Sequence, residues 1–259
     1  MKGLKKLALV SAISAASFAA QAELKSLDDA TMGTLTGQAG VTIELETQVA
    51  VGEFRYTDEG TFAVSGITLG GAGAALGGTA LLDDLYIDID VETDGDAVLS
   101  IHSISGNPID WGMSFASAEL RGTDSTTLMS NFSAIGLLAQ LDIRVDTATD
   151  TLIADVGFSV ENLNVDVDFL AVGIRGLTVT GTNGGVGTGI GTGLAHFAFT
   201  QITMGTAANK DGVTSLAVSI PTFAADINIA AVEIGGTSIG SVAMDDLVVS
   251  NTSMVIYGH

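Results

Sequence analysis

Apolar and polar residues alternate one by one along much of this chain. The clearest stretch follows Gly40: Val41, Ile43, Leu45, Val49 and Val51 fall on one side, and Thr42, Glu44, Glu46 and Gln48 on the other. Successive side chains of an extended strand point to opposite faces, so a period of two predicts a half-buried strand over 41–51. A slip of one residue would put the glutamates in the apolar layer, which fixes the register.

The pattern returns repeatedly. Leu85, Ile87, Ile89 and Val91 alternate with Tyr86, Asp88, Asp90 and Glu92, and Leu163, Val165, Val167 and Phe169 with Asn164, Asp166 and Asp168. Leu141, Ile143 and Val145 alternate with Asp142, Arg144 and Asp146, although 135–141 also suits a helical turn. Asp58-Glu59-Gly60 and Asp94-Gly95 read as hairpin turns, the second of type I′, which needs positive φ at both central residues. Residues 69–78 are rich in Gly and Ala and mark a loop or a close approach of backbones. The last third reads as separate strands over 194–204, 213–220, 223–234 and 238–250. With 33 glycines, 2 prolines and 47% hydrophobic residues, this is a chain of many strands and glycine turns, not a disordered one. The expected fold is all-β: one elongated antiparallel β-sandwich or β-roll with a short N-terminal helix.

The N-terminus carries different signals. Lys2, Lys5 and Lys6 precede an apolar run from Leu7 to Phe18, and Ala20-Gln21-Ala22 has the small-residue pattern of a cleavage site. Residues 1–22 therefore read as a secretory signal peptide. Residues 23–40 read as a helical leader, with Ser26 as N-cap and Gly37 and Gly40 as its stop. Residues 41–259 are expected to form a single all-β domain.

Composition narrows the function classes. The net charge is −21, which repels nucleic acid and anionic lipid. There is no cysteine, hence no disulfide and no thiolate chemistry. The mean hydropathy of +0.48 points to an extended buried surface, a membrane contact or self-association. His102, His196 and His259 stand apart from one another, without metal-ligand spacing. The glycine run over 185–191 lacks the endings of a phosphate-binding loop, and no G-x-S-x-G elbow exists. No catalytic or cofactor-binding residue is assigned, and the chain does not read as an enzyme.

Acidic strand faces are the one feature with ligand chemistry. Asp84, Asp88, Asp90 and Glu92 alternate along one strand, and Asp94 and Asp96 follow in its turn. Hard carboxylate oxygens suit Ca²⁺, making Asp88, Asp90, Glu92, Asp94 and Asp96 the candidate ligands. The plainer reading is a solvated face that keeps sheet edges apart. An outer-membrane β-barrel is a further architecture with alternating strands, but aromatics are only 5% and form no girdle pattern.

The two ends of the chain resemble a known family. Leu27-Asp28-Asp29 followed by Leu35-Thr36-Gly37-Gln38-Ala39-Gly40-Val41-Thr42-Ile43-Glu44-Leu45 is similar to the N-terminus of the DUF6160 family, which includes pilus-system proteins of the FilA type. Ile239-Gly240-Ser241-Val242 and Met254-Val255-Ile256-Tyr257-Gly258-His259 are similar to its C-terminus. The resemblance implies an exported all-β protein in the periplasm, outer membrane or cell surface of a Gram-negative bacterium. The expected function is a structural or pilus-associated role through protein–protein contacts. Its partners would be envelope or pilus proteins or other copies of itself, near a membrane and away from nucleic acid. The alternative is a β-module that binds an apolar ligand such as a lipid in an aliphatic groove.

Overall fold

The computed structural model describes residues 40–78, 80–182 and 197–258. The expected signal peptide, the leader up to residue 39 and most of the glycine–threonine loop lie outside them.

Among the described residues twelve strands follow one another: β1 (Val41–Thr47), β2 (Val49–Thr57), β3 (Thr61–Gly70), β4 (Leu82–Val91), β5 (Ala97–Ser103) and β6 (Ile109–Arg121), then β7 (Ser125–Asp146), β8 (Thr151–Val167), β9 (Val172–Thr180), β10 (Ala198–Ala208), β11 (Thr214–Ile234) and β12 (Thr237–Ile256). A four-residue helix, α1 (Ala72–Ala75), follows β3, and a turn of 3-10 helix (Asp168–Leu170) separates β8 from β9. The fold is all-β, and every strand belongs to one hydrogen-bonded sheet. It is long: the 22 residues of β7 span roughly 70 Å at about 3.3 Å per residue.

The long strands organise the sheet because each takes two partners along one edge. β7 pairs with β6 over its first part and with β5 over its last. β8 pairs with β10 first and then with β9, and β11 does the same. Two antiparallel paths result, β1-β4-β5-β7-β8-β10-β11-β12 and β2-β3-β6-β7-β8-β9-β11-β12, so β1 and β2 share one edge and β12 forms the other.

Cross-strand register turns the alternation of single strands into continuous rows. Ile43, Ile87, Ile101, Leu141, Val156, Thr200, Phe223 and Val249 pair in succession from edge to edge. Val49, Leu69, Met113, Ala134, Leu163, Leu177, Ile229 and Val242 form a second aliphatic row along the other path. The neighbouring row, Thr42, Asp88, Ser100, Asp142, Asp155, Gln201, Thr222 and Ser250, is polar throughout. Along these three rows one side is apolar and the other polar, and a register slip there would mix them.

Burial is concentrated in the middle of the apolar side. Val160, Val179, Ala198 and Ala225 are buried against Trp111, Phe158, Leu163, Leu177, Phe223 and Ile227. In this single sheet the core is built from side chains of β6 and of the mutually paired strands β8 to β11. The strands at the margins lie outside it. Val41 is 58% exposed and every residue of β2 is exposed. The expectation of a half-buried strand over 41–51 is thus corrected: alternation is present, but β2 is exposed throughout and most of β1 with it, at a margin of the sheet of described residues.

Other local expectations change for identifiable reasons. Residues 135–141 are strand, since pairing with β6 and β8 on both sides outweighs their helical tendency. Pro221 does not end a strand; β11 runs through it, with a register shift against β10 between Gln201 and Thr203. Proline has no N–H for the ladder, and a bulge is where that loss does least harm. At Asp94-Gly95 only Gly95 has positive φ, and Gly95 N–H donates to the Glu92 carbonyl while Glu92 N–H donates to that of Asp96. This is a turn followed by a glycine bulge, not type I′. The I′ pattern appears instead at Gly235-Gly236, both at positive φ, joining β11 to β12. The Gly/Ala stretch brings backbones together: a Cβ at Gly112 would stand 2.6 Å from the Gly71 carbonyl oxygen beneath α1.

Candidate functional site

Three arginines each grip two or more carboxylates, two of them joining separate strands and the third closing over one turn. Arg121 on β6 contacts Glu53 of β2 at 2.8 Å and Glu119 at 2.9 Å. Arg175 on β9 bridges Asp166 of β8 and Glu233 of β11, the latter at 3.0 Å, and donates to the Val165 carbonyl. Arg144 on β7 meets the β4–β5 turn, contacting Glu92 at 2.9 Å, Asp94 at 3.8 Å and Asp96 at 2.6 Å.

The acidic residues singled out by sequence separate into two groups. Glu92, Asp94 and Asp96 come together, with carboxylate oxygens within 4.8 Å of one another. Arg144 already supplies a positive charge to all three, so a calcium ion there would share its ligands with a guanidinium. Asp96 is buried, and the Thr147 backbone N–H, the Arg144 guanidinium and the Thr147 hydroxyl hold its carboxyl below the usual range. Asp88 and Asp90 stay on the strand. Asp88 accepts from the Thr42 hydroxyl and from His102 Nε2 at 2.9 Å, linking β1, β4 and β5. Those bonds, Thr42 first, lower the Asp88 carboxyl. Asp90 is exposed and lies in no ion pair of the described residues. Asp84 leaves the shared face: its φ of 56° breaks the alternation, and it accepts from Ser103 Oγ at 3.0 Å and Ser105 N–H at 2.8 Å.

A second acidic group was not singled out in the sequence. Asp226 on β11 meets Asp245 and Asp246 at a bulge of β12, where Asp246 has φ 52° and its N–H donates to Asp226 Oδ1 at 2.7 Å. The legible signal was an Asp-Asp pair inside an otherwise uncharged strand. No arginine or lysine of the described residues bridges this group.

His102 packs edge-on against Tyr86, with ring centroids 4.2 Å apart, and is held by Asp88. His196 and His259 lie outside the described residues. Among those residues no buried side-chain nitrogen or oxygen lacks a hydrogen-bond partner.

The margins of the sheet are the most distinctive surfaces. β1 pairs only with β4, β2 only with β3, and β12 only with β11 among the described residues. Each therefore presents a row of unpaired backbone N–H and C=O groups. Large apolar side chains stand beside them: Val41, Ile43, Val49, Val51, Phe54 and Tyr56 on one margin, and Ile239, Val242, Val248, Val249, Met254 and Ile256 on the other.

Residues 1–93 match the model of a family of unknown function, DUF6160. The matched segment ends just beyond β4, so the similarity to DUF6160 covers the β1–β2 margin and the β3–β4 region but not β12. No curated protein and no solved structure matches the chain.

Proposed function

We propose that this chain is an exported structural protein of the bacterial cell envelope, pilus-associated or part of another surface assembly, working through protein–protein contacts. The observation that carries the reading is the pair of apolar sheet margins, β1–β2 and β12, that are unpaired on their outer side among the described residues. Soluble proteins ordinarily blunt such edges with lysine, proline or a covering element. β12 has no lysine or proline between Thr237 and Ile256, and its blunting is local, at the bulge that carries Asp245 and Asp246. The absence of a catalytic constellation in the sequence agrees with a structural role. Fractionation of cells producing the full chain tests the reading. The chain is expected in the envelope or surface-appendage fraction and in complexes larger than a monomer. A cytoplasmic or freely soluble monomeric chain would overturn it.

A second reading is a periplasmic or surface module that holds a lipid-like ligand. Its support is the aliphatic row through Ile87, Ile101, Leu141 and Val156, only partly buried. Solvent extraction and mass spectrometry of the purified chain would reveal a co-purifying apolar molecule; a clean extract counts against it.

A further inference from the structure

The two margins of the sheet match each other. Ile43 and Val249 end one aliphatic row and Val49 and Val242 end the other, with exposures of 42%, 38%, 42% and 42%. Thr42 and Ser250 end the polar row on the opposite side. Every junction from β1 to β12 is antiparallel. Their number is odd, so the β1 and β12 margins run antiparallel to each other.

A copy displaced sideways by one sheet width therefore brings its β1–β2 margin against the first copy's β12 with the polarity of every internal junction. Its apolar side stays on the same side. Ile43 then falls opposite Val249, Val49 opposite Val242 and Thr42 opposite Ser250, and all three rows continue across the boundary. The interruptions coincide too: the break at Gln48 and the bulge at Asp245–Asp246 each lie between the ends of the two aliphatic rows.

Resting on the envelope-assembly reading above, we infer that copies of this chain join head to tail by strand addition, β12 of one onto β1–β2 of the next. The contact uses two different surfaces of the same molecule, so it builds an open-ended continuous sheet, not a closed dimer. Glu46 comes level with Asp245 and Asp246 at each boundary and makes the contact sensitive to charge screening.

The natural chain has no cysteine, so introduced thiols report alone. Directly opposed residues of an antiparallel pair lie within disulfide reach. The full chain carrying Ile43→Cys and Val249→Cys, oxidised mildly and run without reductant, is expected to give a ladder of dimers, trimers and larger species. Mixed single variants should give dimers only, and Val249→Cys alone should stay monomeric. An internally linked monomer of the double variant, as in a closed barrel, would overturn the inference. So would disulfide dimers of Val249→Cys alone, or no cross-link in a folded double variant. If that variant misfolds, Thr42→Cys with Ser250→Cys asks the same question on the polar side. Envelope fractionation of the same cells separates the two readings: envelope location without a ladder removes head-to-tail assembly alone, whereas cytoplasmic location removes the envelope role.

Discussion

Arg144 donates from both Nε and Nη2 to one oxygen of Asp96, at 2.9 and 2.6 Å, while the Thr147 N–H and hydroxyl take the other oxygen at 2.9 Å each. Asp96 is the one carboxylate among the described residues that is buried. Charge-assisted bonds of this kind fix the β4–β5 turn onto β7. Replacing Asp96 by Asn keeps a partial acceptor, whereas Ala leaves the Thr147 N–H and the guanidinium unanswered. Thermal unfolding followed by circular dichroism should rank wild type above Asp96→Asn and Asp96→Ala lowest. Equal melting temperatures would show that the turn is held by its backbone alone.

Packing should matter in the middle of the sheet and little at its margins. Ile109 is 2% exposed and is the largest fully buried side chain among the described residues. Truncating it to Ala should cost about 3 kcal/mol through lost burial and the cavity left behind. Ile43→Ala, at an open edge, should cost below ~1 kcal/mol in the monomer. Denaturant titration of both variants checks the contrast.

Gly136 is required by close approach. A Cβ there would overlap the Ser159 carbonyl and stand 2.9 Å from Trp111 Cζ2. Gly136→Ala should destabilise by roughly 1–3 kcal/mol, the usual range for overpacking. Gly52, where a Cβ would meet nothing within 4 Å, is the control. An unchanged denaturation midpoint for Gly136→Ala would mean that β7 and β8 can separate at no cost.

Acid should unfold this protein through specific carboxylates. Asp96, Asp88, Asp84 and Asp166 are all held below their ordinary value of 3.8 by hydrogen bonds to the charged form, from Asn131 and Arg175 in the case of Asp166. A carboxyl with a lowered folded-state value contributes stability that is fully present above its unfolded value and lost as pH falls through the lowered one. Stability should therefore hold at neutral pH and fall as pH drops below 3.8. Urea midpoints across that range test the sign; a rise on acidification would show that relief of negative self-repulsion outweighs these bonds.

Salt should promote head-to-tail assembly. Glu46 against Asp245 and Asp246 is a repulsive contact, and screening shortens the reach of such charges from about 10 Å at 0.1 M to about 3 Å at 1 M. Sedimentation of the full chain should show larger species as salt rises. The trend should weaken in a Glu46→Gln variant, and an indifferent size distribution would contradict the register.

Strand identity was legible because period-two alternation needs only neighbouring residues. The turn at Asp58-Glu59-Gly60, between β2 and β3, was legible from its own residues. The course of β11 through Pro221 was not, because whether a proline ends a strand depends on the pairing opposite it. The acidic candidates were half legible. Residues 92, 94 and 96 sit in one turn and meet, but the Arg144 that joins them lies far along the chain and is brought beside the turn only by the β5–β7 pairing. Asp226 and Asp245 were invisible as a group, since only the β11–β12 register brings them together.

The sequence by itself determined that the chain would form strands, which side of each would be apolar, and that no disulfide would hold them. These are properties of side-chain alternation and composition. The tertiary structure alone decided that the strands share one sheet, that the long ones take two partners each, and that Ile43 and Val249 end the same row. Hydrogen-bonded pairing between residues far apart in the chain carries no local signature. It emerges only when every strand has chosen its neighbour, and that choice leaves β1, β2 and β12 at the margins.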